Sequence, residues 1–319
     1  MIADMHCDTI YKIRGEKQKG KKLNLKDSPE LCVNIEKMKQ GNYLVQNFAM
    51  YIDLKEHENP YENAMELVEL FEKEMQKNAD QIRQVTTYEE ILQNQKDGVL
   101  SALLTLEEGG MCMGDMEKLH EFYEHGARMM ALSWNYENEL CYSAAVAKGK
   151  TGLGLKQRGF EFLEEMEHIG MIPDVSHLSD EGFFDLLKVC KKPFVASHSN
   201  ARTLCGHPRN LTDEMLRQLG EHGGVAGLNY YPEFLGENLA PEACIDAIVR
   251  HAVHMINKGG SDCVGLGTDF DGFSGEGRPA DAAAQEDLIW AFHKAGLTER
   301  EIDGILYQNV MRVYREVLR

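Results

Sequence analysis

"MIADMHCD" (residues 1–8) opens a series of short apolar or β-branched runs, and that series decides the fold. Seven more follow: YLVQNFAMYI (43–52), VLSALLTLE (99–107), ARMMALSW (127–134), MIPDVSH (171–177), PFVASHS (193–199), GGVAGLNYY (223–231) and CVGLGTDF (263–270). Each reads as a strand, and amphipathic helical patterns fall between most of them. Residues 61–80 place Met65, Val68, Leu70 and Phe71 at helical spacing. Segments 114–126 and 154–170 each end on a glycine suited to a C-cap. Segment 179–187 begins with the capping pair Ser179-Asp180. Segments 212–224, 242–260, 282–296 and 298–318 complete the helical set. Eight strand-then-helix units predict one α/β domain over 1–319, a (β/α)8 TIM barrel. A doubly wound open sheet fits less well, because no G-x-G-x-x-G follows the first strand. The long polar connection 9–42 and the glycine-rich stretch 271–281 are candidate active-site loops.

Composition narrows the partners. Lys plus Arg number 34 against 52 for Asp plus Glu, a formal charge of −18. A surface this acidic argues against nucleic acid and anionic membranes as partners. The opening MIADMHCDTIYKIRG lacks the basic and long apolar regions of a signal peptide. No apolar run approaches the roughly 20 residues needed to span a bilayer. The eight cysteines are scattered with no C-x-x-C pair, and read as reduced thiols in a cytoplasmic protein.

Barrel enzymes keep their chemistry at the C-terminal ends of the strands. The first predicted strand ends in His6 and Asp8, which share a face at i, i+2. The third ends in Glu107, the fifth in His177, the sixth in His198 and the eighth in Asp269. Each has an ordinary reading alone. Glu107 and Glu108 could begin a solvated loop, His177 could enter a helix, and His198 could be a hydrogen-bonded core histidine. Three histidines and three carboxylates gathered at one rim point instead to a site. Imidazole and carboxylate without thiolate suit zinc, manganese, iron or cobalt. Five candidate ligands are too many for one tetrahedral ion with an open position. They suit two ions about 3.5–4 Å apart, sharing a carboxylate and holding a hydroxide between them. His251 and His254, and likewise His120, His125 and His168, fall on helices or the turns that end them, facing away from such a site. His207, in CGHPRN, lies near it by sequence and is left open.

With these residues in hand, the chain resembles the membrane (renal) dipeptidases and their bacterial relatives, zinc peptidases of the amidohydrolase superfamily. The likeness runs nearly end to end. It is carried by DMHCDT (4–9), VNIEKMKQGNYLVQNFAMYI (33–52), LTLEEGG (104–110), YEHGARMMALSWN (123–135) and DVSHLSD (174–180). SHSNARTLCGHPRNLTDEML (197–216), GLGTDFDG (265–272) and GILYQNVMRVYREVL (304–318) extend it. The resemblance implies a TIM barrel of the metal-dependent hydrolase type holding two divalent ions, zinc by family habit. His6 and Asp8 would bind one ion, His177 and His198 the other, and Glu107 would bridge. Glu108 is its rival, disfavoured by the spacing to HGAR and by the end of the apolar strand at Glu107. Asp269 would be the acid/base, with Asp271 as rival. Arg209 would hold a substrate carboxylate and Tyr231 would line the pocket. Trp134 stands where the family carries a substrate-binding histidine, a departure that bears on substrate range. Losing such a donor to a developing oxyanion can cost about 3–4 kcal/mol.

The function so implied is hydrolysis of dipeptides with a free C-terminal carboxylate, through a metal-bridging hydroxide with Asp269 as acid/base. Two alternatives stand beside it: another amidohydrolase reaction on a lactam, lactone or N-acyl amino acid, and a metal-holding barrel without catalysis. The resemblance further implies a homodimer. Its membrane attachment does not carry over.

Overall fold

The computed structural model of the protein describes residues 1–56, 58–273 and 277–319. Eight parallel strands close on themselves: β1 (Ile2–Asp4), β2 (Tyr43–Tyr51), β3 (Leu100–Glu107), β4 (Ala127–Ala131), β5 (Ile172–Asp174), β6 (Val195–Ala196), β7 (Val225–Leu228) and β8 (Val264–Leu266). Each pairs with the next, and Asp4 opposite Leu266 joins β8 back to β1. Helices cross between strands, as the expected (β/α)8 barrel requires.

The apolar runs are continuous because both faces of each strand are covered. On β3, Ala102, Leu104 and Leu106 join the large cluster shared with the helices. Leu103, between them, belongs to a second cluster with Val45, Ile172 and Val225. Val310, Val313 and Tyr314 of the last helix, Asn309–Val317, complete that second cluster. The Tyr314 hydroxyl donates to Asn47 Oδ1 at 2.7 Å, which satisfies a polar atom inside it.

Regular pairing stops before several apolar runs do, and buried carboxylates take over. Asp4 accepts the backbone N–H groups of His6 (3.3 Å) and Thr268 (2.9 Å) and the Thr268 hydroxyl (2.7 Å). Asp174 likewise accepts the N–H groups of Ser176 and Ser197, each at 2.9 Å. These bonds hold the splayed strand ends β1–β8 and β5–β6 in place of ladder bonds, so the rim residues keep fixed positions.

Several features were not legible as elements. A three-residue strand, Ile82–Gln84, pairs with the start of β3 outside the barrel circuit and is too short to show a period. The helix Tyr88–Asp97 begins in a Thr87/Glu90 capping box. The helix Thr9–Gln18 occupies the first part of the connection expected to be an open polar loop, with Thr9, Ile10, Ile13 and Arg14 buried. The closing helix, expected to be continuous over 298–318, is interrupted by a π turn at Gly304–Gln308. There the Asn309 amide leaves the helix to donate to Ser261 O and Val264 O, both at 2.8 Å. Of the glycine-rich stretch 271–281, residues 274–276 lie outside the described residues. All eight cysteines are free. Among the described residues no helix is long and apolar enough to cross a membrane.

Two glycines let the rim close. A Cβ on Gly227 would lie 1.9 Å from Ser197 O, and one on Gly267 would lie 1.7 Å from the same atom. Backbone cannot yield as a flexible side chain can. Gly227→Ala should therefore lower unfolding stability by about 2–3 kcal/mol through overpacking. A urea midpoint unchanged in that variant would show that β6 and β7 are not in the close contact described.

Candidate metal centre

The C-terminal ends of β1, β3, β5, β6 and β8 bring six side chains to one point. Glu107 sits at its middle, buried at the last residue of β3. Its Oε2 lies 3.4 Å from His6 Nε2. Its Oε1 lies 3.1 Å from His177 Nε2 and 3.7 Å from His198 Nε2. The two oxygens of one carboxylate thus face His6 on one side and the His177–His198 pair on the other, with the His6 and His198 rings stacked at 3.9 Å. On the first side, Asp8 Oδ2 is 3.3 Å and Asp269 Oδ1 is 3.9 Å from His6 Nε2. On the second, the two ring nitrogens of His177 and His198 are 3.0 Å apart.

The outer nitrogens of the second pair are engaged. His177 Nδ1 lies 3.2 Å from Asn135 Oδ1, and His198 Nδ1 lies 2.7 Å from Ser197 Oγ. A ring whose Nδ1–H is donated outward turns a lone pair inward at Nε2. Two such lone pairs and a carboxylate oxygen aimed at one spot repel one another unless a cation lies between them. On the first side, His6 Nε2 and Asp8 Oδ1 are buried without any hydrogen-bond partner. Buried polar atoms are normally paired, so orphans of this kind mark an absent partner. The donor set, imidazole and carboxylate, fits a borderline divalent ion such as zinc on both sides of Glu107.

The electrostatics agree. Burial pushes the Asp8 carboxyl up to about 8, and the neighbouring Glu107 charge adds to the push. Burial raises Asp269 to about 6, with His6 opposing and Glu107 adding. Burial holds His177 down to about 3, helped by the Arg209 charge, and holds His198 well below its ordinary value. For Glu107 burial also pushes upward, but His6 and His177 outweigh it and keep the carboxylate ionised. Three carboxyl groups crowded into a dry site are a poor arrangement alone and a good one around positive charge.

The two rivals are occupied elsewhere. Glu108 turns away from the histidines and accepts the N–H groups of Gly110 and Trp134, each at 2.7 Å, and the Asn138 amide. Asp271 accepts from Thr9 Oγ1 at 2.7 Å, Lys12 Nζ at 2.8 Å and Cys32 N at 2.9 Å, so it ties the last loop to the first helix. Asp269, by contrast, faces the histidines and is oriented by Asn229 Nδ2 at 2.9 Å from Oδ2. His177 (φ 70°) and Asp269 (φ 61°) both hold left-handed backbone, strain of the kind found at functional sites.

A cavity of about 470 Å³ stands over these groups. One aromatic set on its wall includes Tyr51 and Trp134, with ring centroids 4.9 Å apart. Another joins Tyr231 to Phe234 at 4.9 Å and to Phe273 at 5.2 Å. Arg209 reaches the cavity too. It donates to Ser199 Oγ at 3.1 Å and His198 O at 3.3 Å, while its buried Nε has no partner. Burial lowers it to about 10, against the opposing charges of Asp269 and Glu107. His207, left open by the sequence, lines the cavity, and its Nδ1 accepts the Arg209 N–H at 3.2 Å. His251 is a core residue between Ala201 N and Leu235 O, and His254 pairs with Asp213 at 2.7 Å.

Sequence reasoning missed Asn229 and Asn135, which orient Asp269 and His177. Asn229 was within reach, because it is a polar residue at the end of the seventh strand in GLNYY, although Tyr231 is the more conspicuous side chain there. Asn135 and Tyr51 carry no local signal.

The whole chain, residues 1–319, matches the family described as membrane dipeptidase (peptidase family M19). An uncharacterized dipeptidase of Schizosaccharomyces pombe is 29% identical, covering 99% of this chain and 80% of its own. A protein of Klebsiella pneumoniae, described only by its place in the pqqA 5′ region, is 32% identical over 75% of this chain and 90% of its own. Among solved structures, a metallopeptidase of Rhodobacter sphaeroides with a phosphinate mimic of L-Ala-D-Ala superposes with a TM-score of 0.89 at 23% identity, covering 99% of each chain. A second, a dipeptidase of family M19, reaches 0.90 at 24%, covering 99% of this chain and 98% of its own.

The two adjacent glutamates should separate cleanly. Glu107→Gln should lose metal, read as ions per chain by elemental analysis. Glu108→Gln should keep its metal and cost about 1–3 kcal/mol of stability, because one of its donors then faces an NH₂. Metal loss in the Glu108 variant alone would reverse their places.

Proposed function

The chain belongs to the membrane dipeptidase family and is a metal-dependent dipeptidase; on that premise we propose which residues carry the reaction and how. His6 and Asp8 would hold one divalent ion, His177 and His198 would hold the other, and Glu107 would be shared between them. The observation that carries this assignment is the Glu107 carboxylate, with one oxygen toward each histidine group. Zinc is supported by the ligand chemistry, imidazoles and carboxylates with no thiolate. When bound, the ions supply Lewis acidity and an acidified water.

The protein's own groups do the rest. Arg209 binds the C-terminal carboxylate of the dipeptide. Its partnerless buried N–H supports that role, and its planar fork matches a carboxylate better than an ammonium would. Trp134 and Tyr231 form walls of the substrate cavity. Arg209 and Asp269 line one cavity, so a dipeptide held by Arg209 would present its amide to Asp269. Asp269 takes the proton of the attacking water and delivers it to the leaving amine, a general acid–base role. Asn229 keeps its other oxygen fixed during that transfer. The aromatic walls exclude bulk water and strengthen each polar contact inside. A cytoplasmic location is supported by eight unpaired cysteines, all buried except the partly exposed Cys32.

The deciding experiment is amino-acid release from a dipeptide panel by protein as isolated, after chelation, and after zinc is restored. The panel includes L,L and L,D members, the latter because the Rhodobacter sphaeroides neighbour was solved with an L-Ala-D-Ala mimic. Release should vanish with chelator and return with zinc. Turnover confined to N-acyl amino acids or lactones would replace the substrate class, and none at all would indicate a binding barrel. Asp269→Asn should cut kcat by about 10²–10⁴ with metal content unchanged. Arg209→Lys should act mainly on KM, lowering kcat/KM by about 10–100-fold as the paired, charged hydrogen bonds are lost. Equal kcat in the Asp269 variant would remove that residue from the proton transfer.

A further inference from the structure

Behind His198 lies a buried relay that the reaction itself does not use. Ser197 Oγ lies 2.7 Å from His198 Nδ1 and also bonds Asp174 Oδ2. Asp174 Oδ1 accepts the backbone N–H groups of Ser176 and Ser197, each at 2.9 Å. All three side chains are buried. A carboxylate has only acceptors, so the single Ser197 hydroxyl proton is directed to Asp174. Ser197 Oγ is then left to accept, and it accepts the proton of His198 Nδ1. The Nε2 lone pair must in consequence point inward, toward Glu107 Oε1 and His177 Nε2.

We infer that Asp174 and Ser197 are positioning residues that set the tautomer of His198, and through it the affinity of the ion site it shares with His177. The inference rests on His198 being a metal ligand, as proposed above. His177 is backed differently, by the neutral Asn135 amide at 3.2 Å. The half-site therefore has one imidazole tied to a buried carboxylate and one tied to an amide. Partners of this kind fix ring orientation and raise ligand basicity.

The relay can be reversed without changing its shape. In Asp174→Asn the side-chain oxygen must stay where the two backbone N–H groups point, because an NH₂ there would face two donors. Its NH₂ is then turned onto Ser197 Oγ. The hydroxyl now accepts from that amide and gives its proton to His198 Nδ1, which leaves the ring hydrogen on Nε2 and blocks the metal. The other acceptor in range, Ser176 Oγ, is 3.4 Å away and already takes the His198 backbone N–H at 3.0 Å. Ser197→Ala removes the hydroxyl and with it any imposed tautomer.

Zinc affinities of the purified full-length variants, measured by chelator competition, test this. Metal-free melting temperatures and ions per chain are read alongside. Asp174→Asn should weaken the more affected zinc by about 10–100-fold. Ser197→Ala should weaken it less. The double variant should recover to the Ser197→Ala level, since an amide with no hydroxyl to push cannot reverse the ring. An Asp174→Asn affinity within about two-fold of the parent, whatever its melting temperature, would overturn the inference. So would a double variant weaker than Asp174→Asn alone, which would mark both residues as simple packing. His198→Ala that still holds two ions would instead refute the ligand assignment beneath the inference.

Discussion

One buried carboxylate between two histidine groups is the constraint on which the rest of this structure turns. Taking Glu107 out of water costs several kcal/mol unless compensated, and Asp8 and Asp269 stand close enough to make that cost larger. His6, 3.4 Å from Glu107 and held against burial well above its ordinary value by Glu107 and Asp8, offsets part of that charge, and Arg209 lines the cavity beside it. The metal-dependent family to which the chain belongs implies divalent positive charge for such a centre. A crowded, buried carboxylate centre of this kind would couple divalent-ion binding to folding stability.

The barrel makes that crowding possible by holding each contributor from a different strand. Parallel strands buried on both faces cannot shift register cheaply, and two more buried carboxylates brace their ends. Asp4 ties β1 to β8 beneath His6 and Asp269. Asp174 ties β5 to β6 beneath His177 and His198. Both braces bond residues next in sequence to the clustered histidines or Asp269, or His6 itself. The glycines at 227 and 267 bring backbone within contact of Ser197 and complete the same tight rim. Rigid support at this depth lets the left-handed backbone of His177 and Asp269 persist.

Much of this was legible before any coordinates. The eight apolar runs are long because both faces are covered, and that continuity survives in the sequence. The strand ends stand out because His6, Asp8, Glu107, His177, His198 and Asp269 are polar residues placed where an apolar run stops. The extra strand Ile82–Gln84 and the helix Thr9–Gln18 were hidden because each buries only a few residues, too few to impose a period. The choice of Glu107 over Glu108 depends on which side of a strand end each carboxylate leaves from. That follows from the three donors that capture Glu108, one of them thirty positions distant. Asn135 and Tyr51 act through contacts between distant strands, which no local pattern announces.

Anomalous diffraction from crystals of the zinc-loaded protein, recorded at the zinc edge, tests the central claim most directly. Two peaks per chain are expected, one on each side of the Glu107 carboxylate, the first against His6 and Asp8 and the second against His177 and His198. A single peak, or a pair that leaves Glu107 untouched, would contradict it.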